Sequence, residues 1–205
     1  MLLCSWLVAH GSSCLEAVAV LFGIVSVFLS VRENIWSWPT AIVNVVLYAI
    51  VFYEAKLYAD MGLQVVYAVL SIYGWYEWLY GGAGRTELRV TRTGPRLGML
   101  LALIAAAGSV VLGLFLHRET DAALPYMDSF LSSTSLVAQW MMTKKLLENW
   151  VVWIGVDVLY VGMFIFKGLF LTSALYAVFL ALAIKGLIDW RRSMSAEATL
   201  APAPV

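Results

Sequence analysis

The side chains best suited to chemistry lie together in the C-terminal third of the chain. Offsets of 0, 3, 7 and 10 residues place four of them on one face of a helix: Trp150, Trp153, Asp157 and Tyr160. Indole and phenol rings bind flat aromatic groups by stacking and attract cations over the ring face. A carboxylate beside them would neutralise a positive ring. This face therefore predicts a pocket for an aromatic cation.

Asp157 falls in the middle of an apolar segment, where an ionised carboxylate costs roughly 2.5–3.5 kcal/mol on insertion scales. A structural carboxylate would need a basic partner at similar depth, and Lys167 lies 10 residues away near the end of that segment. A phosphorylated substrate would also need cationic groups at that depth, and their absence argues against such a substrate. We therefore assign Asp157 to substrate binding.

Polar and aromatic residues on three further segments have similar spacing. For each of these residues a structural role is the alternative to substrate binding. Tryptophans form interfacial belts, small serines let helices approach, and amides join helices by hydrogen bonds. The predicted substrate-binding residues are Trp38, Asn44, Tyr48, Gln64, Ser135, Gln139, Trp150, Trp153, Asp157 and Tyr160.

Acidic and amide pairs precede two of the apolar segments: Glu33 with Asn34, and Glu148 with Asn149. Helix starts favour acidic groups, so a capping role is the simpler interpretation and gating is the alternative.

Residues 38–78 align without a gap with residues 150–190, with 13 identities in 41 positions, including Trp38 with Trp150 and Gly74 with Gly186. The repeat distance of 112 residues contains four apolar segments, so the two halves must cross a membrane in the same sense. Duplicated hydrophobic bundles are typical of solute carriers.

The composition is that of an integral membrane protein. The chain is 62% hydrophobic and 13% charged, with a mean hydropathy of +0.87, whereas soluble domains carry about twice that charge. The zero net charge argues against nucleic-acid binding. Seven segments are long enough to span a bilayer: about 15–31, 36–55, 59–80, 96–116, 127–143, 150–166 and 169–190.

These segments predict an all-α fold of seven transmembrane helices arranged as 3+1+3, with two parallel three-helix repeats. The predicted regions are a periplasmic segment 1–14, a first bundle 15–82, an Arg-rich cytoplasmic loop 83–95, a linking helix 96–118, a second bundle 126–190 and a disordered cytoplasmic tail 191–205.

Basic residues predict the orientation. Placing the Arg-rich loop in the cytoplasm puts ten of the 13 Lys and Arg residues on that side and three opposite. The N-terminus is then periplasmic and the C-terminus cytoplasmic. Met1–His10 lacks the basic start of a signal peptide. Cys4 and Cys14 are interpreted as small apolar residues, with a periplasmic disulfide as the alternative.

Enzymatic and scaffolding functions are the competing classes. No metalloprotease, serine-hydrolase or phosphate-loop motif occurs, and no metal or other cofactor is expected. An acid–base enzyme would need Asp128 and Asp157 to meet on one substrate, although they lie on different segments near different depths. A receptor or scaffold would use loop 85–96, which the topology already explains.

Several short stretches together resemble the PnuC family of vitamin transporters. They are Trp38-Pro39 through Asn44, residues 55–59, Leu63-Gln64, Tyr73-Gly74-Trp75 and residues 143–153. The likeness covers about 15–190. It implies a bacterial inner-membrane carrier of nicotinamide riboside, a three-plus-one-plus-three fold related to the SWEET sugar carriers, and members that can form homotrimers.

The resemblance also implies facilitated diffusion by alternating access, made one-way by a cytoplasmic kinase that phosphorylates the arriving nucleoside. It places the substrate pocket at Asn44, Gln64, Trp150, Trp153 and the Asp157 position. The chain departs from the family pattern at Asp157, where an asparagine is familiar in riboside carriers, and this departure leaves the identity of the substrate open. Thiamine, which is also an aromatic cation, or neutral riboflavin is the alternative substrate, and ion coupling stays open.

Overall fold

The computed structural model describes residues 14–54, 56, 58–120, 124–166, 168 and 170–200. The regular structure in this part of the chain is helical, apart from one isolated bridge between Thr91 and Leu146. The helices are α1 Cys14–Val31, α2 Ser37–Glu54, α3 Tyr58–Tyr80, α4 Pro95–Glu119, α5 Pro125–Thr143, α6 Asn149–Phe166 and α7 Phe170–Leu200.

Seven helices confirm the all-α prediction, and all but the end of α7 lie within a few residues of the predicted segments. Among the described residues, α1, α2, α4, α6 and residues 172–196 of α7 are long and apolar enough to cross a membrane. The other two helices, α3 and α5, carry more polar residues, such as Gln64 and the serines before Thr134.

The C-terminal tail differs from its prediction. Helix α7 continues to Leu200, so the disorder expected from residue 191 is wrong as far as that residue. The reason is local: residues 191–200 contain no glycine or proline, and Ala, Arg, Met and Glu are good helix formers. Cys14 is disulfide-bonded, so its interpretation as a small apolar residue is wrong. Residues 1–13 with Cys4, and 201–205, lie outside the described part of the chain.

The chain divides into an N-terminal unit, residues 1–88, and a C-terminal unit, residues 89–205. In the N-terminal unit, α2 packs against both α1 and α3. Two hydrogen bonds join α1 to α2: the Asn44 amide donates to the carbonyl oxygen of Ala19 over 2.7 Å, and the Ser26 hydroxyl donates to that of Ser37 over 3.0 Å. These bonds fix the rotation of α2.

In the C-terminal unit α4 packs against α5, α5 against α6, and α6 against α7. The close approach of α4 to α5 depends on small residues. A Cβ added at Gly108 would lie 3.0 Å from the Ser133 hydroxyl, and one at Gly113 would lie 2.8 Å from the Tyr126 ring. The segment predicted as a separate linking helix is therefore a packed element of this unit.

The two units share local geometry at a spacing of 112 residues. The turn before α2 has Glu33 at φ 54°, and the turn before α6 has Lys145 at φ 47°. The turn after α2 has Lys56 at φ 59°, and the turn after α6 has Gly168 at φ 72°.

The backbone hydrogen bonds of these turns repeat at the same spacing. Asn34 N–H donates to the Leu29 carbonyl over 2.9 Å, and its counterpart Leu146 donates to Met141 over 3.1 Å. The duplication read from the sequence thus extends to the turns that position α2 and α6.

Candidate functional site

A polar patch lies inside the C-terminal unit on α6. The Asp157 side chain is 4% exposed, at the middle of the helix. Trp153 and Tyr160 are half-buried and pack against a core of Leu131, Val156 and Met163. Trp153, Asp157 and Tyr160 thus lie on one helix, and their role in substrate binding stays a prediction.

Within the described residues, no hydrogen bond or ion pair reaches the Asp157 carboxylate. The buried hydroxyl of Ser135 on α5 makes no hydrogen bond of standard geometry among these residues, although it lies within hydrogen-bonding reach of the Tyr160 phenol. The phenol is also within electrostatic range of Asp128 and Asp157. Buried polar groups are normally satisfied, and unsatisfied ones need an explanation. A bound polar ligand would supply one.

Four aromatic rings extend from this patch between α6 and α7. The centroid of Tyr160 lies 4.5 Å from that of Tyr176 and 5.8 Å from that of Phe164, whose ring is nearly parallel to it at 11°. Phe179 meets the Tyr176 ring edge-on at 5.9 Å. Tyr176 and Phe164 were not predicted as site residues. The repeat offered a signal, because Tyr176 aligns with Gln64, which was predicted.

Gln139 lies one turn beyond Ser135 on α5 and is half-buried. The structure therefore brings Ser135, Trp153, Asp157 and Tyr160 to neighbouring parts of one unit, with Gln139 on the helix that carries Ser135.

The N-terminal unit contains a shorter version of the aromatic arrangement. Tyr48 stacks on Phe52 with centroids 5.7 Å apart, as Tyr160 stacks on Phe164. Gln64 is half-buried on α3, at the position where the second repeat has Tyr176. Asn44 uses its amide N–H to hold α1, which is the interhelical role that the sequence left open.

Trp38 and Trp150 are packing residues in their units. They are 2% and 1% exposed, and each meets a second indole edge-on at 5.3 Å, Trp78 for Trp38 and Trp190 for Trp150. A Cβ added at Gly74 or Gly186 would come closer than 3.0 Å to these buried rings. We call each indole pair with its glycine a tryptophan lock.

The four predicted gating residues shape turns. The Asn34 side-chain oxygen accepts the backbone N–H of Trp36 over 2.9 Å, and Glu33 occupies the left-handed position of the same turn. Asn149 is fully buried, and its amide donates to the Leu146 carbonyl over 2.6 Å. These contacts hold the turns before α2 and α6, and a gating role stays a prediction.

Glu148 holds residues 89–94 of the predicted Arg-rich loop, here called the strap, by contacts that the sequence did not predict. Its carboxylate accepts the Thr93 backbone N–H over 2.7 Å. Thr91 donates to the Lys145 carbonyl over 3.1 Å and accepts from the Leu147 N–H over 2.8 Å, forming the parallel bridge. The strap is thereby fixed to the turn between α5 and α6.

The apolar helices of the described residues define the class: a multi-pass helical membrane protein. Residues 13–192 match the family described as "Nicotinamide mononucleotide transporter". The chain belongs to this family of membrane transporters, so it is a transporter and not an enzyme.

Known proteins are similar over most of the chain. The nicotinamide riboside transporter PnuC of Escherichia coli (strain K12) is 27% identical over 88% of this chain and 86% of its own. The riboflavin/roseoflavin transporter RibM of Streptomyces davaonensis is 26% identical over 85% of this chain and 83% of its own.

A solved structure shares the fold as well. The crystal structure of the vitamin B3 transporter PnuC matches with a TM-score of 0.72 and 27% identity, over 94% of this chain and 86% of that one. The resemblance to the PnuC family is therefore confirmed.

Proposed function

We propose that this chain imports nicotinamide riboside across a bacterial inner membrane by facilitated diffusion and alternating access. Similarity to transporters of that vitamin supports the proposal. The observation that carries it is the buried Asp157 carboxylate, which has no ion-pair partner among the described residues and lies beside half-buried Trp153 and Tyr160. Nicotinamide riboside combines an aromatic ring with a positive charge, the two properties that such a patch binds.

Each predicted residue has a proposed role. The Asp157 carboxylate pairs with the positive charge of the substrate, and Trp153 and Tyr160 stack on its ring. Ser135 and Gln139 bind its hydroxyl or amide groups. In the other unit, Asn44 and Gln64 bind amide or ribose groups, with Tyr48 as a ring contact. Trp38 and Trp150 support the site without touching the substrate, because both rings are buried against neighbouring protein side chains.

The transport cycle is also part of the proposal. In the proposed architecture, two three-helix repeats have the same membrane orientation, the N-terminus is periplasmic, and the chain assembles as a homotrimer. In the proposed cycle, a cytoplasmic kinase traps the imported nucleoside by phosphorylation. The recurrence of turns and tryptophan locks at 112 residues supports the repeat. Trapping by phosphorylation needs no coupling ion, because it keeps the free internal concentration low.

Riboflavin is the second candidate substrate, because a riboflavin/roseoflavin transporter is 26% identical to this chain. Thiamine would satisfy the same charge requirement as nicotinamide riboside. The buried carboxylate favours either cation over neutral riboflavin, because a carboxylate left unpaired beside a neutral ligand keeps its desolvation cost.

Flux into proteoliposomes tests the proposal. Purified protein is reconstituted, and entry of labelled nicotinamide riboside is followed with unlabelled riboflavin or thiamine as competitor; protein-free vesicles and a Trp153→Ala variant are the controls. We expect saturable entry that Trp153→Ala impairs and riboflavin does not inhibit. Labelled riboflavin entering while the riboside stays outside would assign the second substrate. Absence of flux for all three vitamins would contradict a vitamin carrier.

A further inference from the structure

A cavity of about 480 Å³ lies within the C-terminal unit, apart from the polar patch around Asp157. Residues of the strap, α4, α5 and the start of α6 line it, with Leu101, Phe130, Val137 and Val152 supplying apolar walls. Its surface is almost entirely carbon. Such a lining suits an apolar ligand, and it does not suit a charged vitamin, whose polar groups would be left unpaired.

The cavity has the length of half a bilayer. It follows α4 from Pro95 to Ala106, which at 1.5 Å per residue is about 16 Å. The hydrocarbon core of a membrane is roughly 30 Å thick. Glycine or alanine at Gly98, Ala102 and Ala105 leaves the space along this side of the helix.

The strap end of the cavity, here called its mouth, is polar and charged. Arg92 and Arg96 are exposed on either side of the residues Thr93–Pro95 that line it. Glu148 lines it as well, and its carboxylate accepts the Thr93 backbone N–H, so two cations and one hydrogen-bonded anion lie at this end. The buried Thr93 hydroxyl has no hydrogen-bond partner among the described residues.

We propose that this cavity binds one acyl chain of an anionic phospholipid. The tail lies along α4, and the phosphate lies between Arg92 and Arg96. An apolar channel as long as one leaflet, with cations at one end, is complementary to this ligand. The strap and the packing of α4 on α5 form a lipid site that is separate from the transport patch.

Native mass spectrometry of the purified full-length chain tests the site. Dioleoyl-phosphatidylglycerol is titrated in detergent, with dioleoyl-phosphatidylethanolamine in a parallel series. We expect one retained phosphatidylglycerol per chain. Ala105→Phe fills the cavity and should weaken retention at least about tenfold, while Leu103→Phe, at a position 62% exposed on the same helix and outside the lining, should not.

Headgroup recognition is tested separately. The double change Arg92→Gln and Arg96→Gln should raise the apparent Kd for phosphatidylglycerol about tenfold and leave that for phosphatidylethanolamine unchanged. Arg192→Gln, at an exposed position on α7, is the matched control. Gly98→Leu blocks the cavity near its mouth and replaces Ala105→Phe if that variant is not monodisperse.

Two results would overturn the proposal. Equal phosphatidylglycerol retention by the wild type and both blocked variants would show that the lipid binds elsewhere. A loss of retention accompanied by a change in the number of chains per particle would assign the cavity to a second copy of the chain instead.

Discussion

Asp157 and Ser135 are buried polar residues that hold no carbonyl of another helix or turn. Asn44, Ser26 and Asn149 each donate to such a carbonyl, whereas no hydrogen bond or ion pair reaches the Asp157 carboxylate among the described residues and the Ser135 hydroxyl lies against the Tyr160 phenol. Their cost is tolerable if a ligand satisfies them for part of the cycle. Sequence reasoning found Asp157 because an unpaired carboxylate in an apolar segment is rare.

If the Asp157 carboxylate binds the cation, Asp157→Asn should weaken binding of nicotinamide riboside at least about tenfold, because a hydrogen bond to a charged group contributes roughly 1.5–3 kcal/mol. Retained affinity would mean that the amide familiar at this position in riboside carriers serves as well as the carboxylate. Isothermal titration of purified protein measures the Kd. The side chain keeps its size, so the fold should be retained.

Asp60→Asn, an exposed substitution in the first turn of α3, is the matched control and should leave the Kd unchanged. Equal affinities for wild type and Asp157→Asn would contradict a role for the charge of the carboxylate.

The tryptophans show where residue type alone was insufficient. Trp38, Trp150 and Trp153 all lie on predicted binding faces, yet only Trp153 keeps part of its ring accessible. The difference depends on Gly74 and Gly186, which lie on other helices and admit the indoles against their backbones. Spacing along one helix contains no information about that partner.

At the scale of elements, the tryptophan locks join α2 to α3 and α6 to α7. Gly74→Ala and Gly186→Ala should each lower the free energy of unfolding by about 1–3 kcal/mol, because the added methyl group overlaps a buried ring. Thermal unfolding in detergent measures the loss.

Gly62→Ala, on the same helix as Gly74 but with open space around it, is the control and should be neutral or stabilising. Equal melting temperatures for Gly74→Ala, Gly186→Ala and wild type would mean that the locks are dispensable.

The contacts of the strap were not predicted, since one bridge and one side-chain contact leave no periodicity in sequence. Glu148→Ala should raise the hydrogen-exchange rate of the Thr93 amide about tenfold or more, because that N–H loses a charged acceptor. Glu148→Gln keeps an acceptor oxygen and should have a smaller effect.

Exchange measured by mass spectrometry on a peptide covering 89–95 reports the change. Glu119→Ala, at the exposed far end of α4, should leave this peptide as in the wild type. Unaltered exchange in Glu148→Ala would show that the strap is held without the carboxylate.

At the scale of the molecule, most helix positions were predictable because runs of about 20 apolar residues have few alternatives. The duplication was predictable from Trp, Tyr and Gly identities. The partner of α4 was not, because its packing on α5 depends on Gly108 and Gly113 meeting small or flat side chains on a helix nearby. The continuation of α7 was missed because the predicted disorder rested on the Ala and Pro content of residues 193–205, whereas both prolines follow Leu200.

The positive-inside rule predicts the orientation of the chain. A fluorescent protein fused after Val205 should fluoresce in the cytoplasm, and alkaline phosphatase inserted after Thr120 should be active in the periplasm. The same phosphatase inserted after Thr86 should be inactive and serves as the control. Activity at Thr86 with none at Thr120 would reverse the orientation.

The tryptophan locks also have a genetic consequence. Every amino acid other than glycine has a Cβ atom, so any amino-acid substitution at Gly74 or Gly186 would overlap the indole packed against it. Saturation libraries selected for growth on the imported vitamin should therefore retain glycine codons at these two sites, 112 positions apart, and should accept varied codons at Gly62 and Gly155.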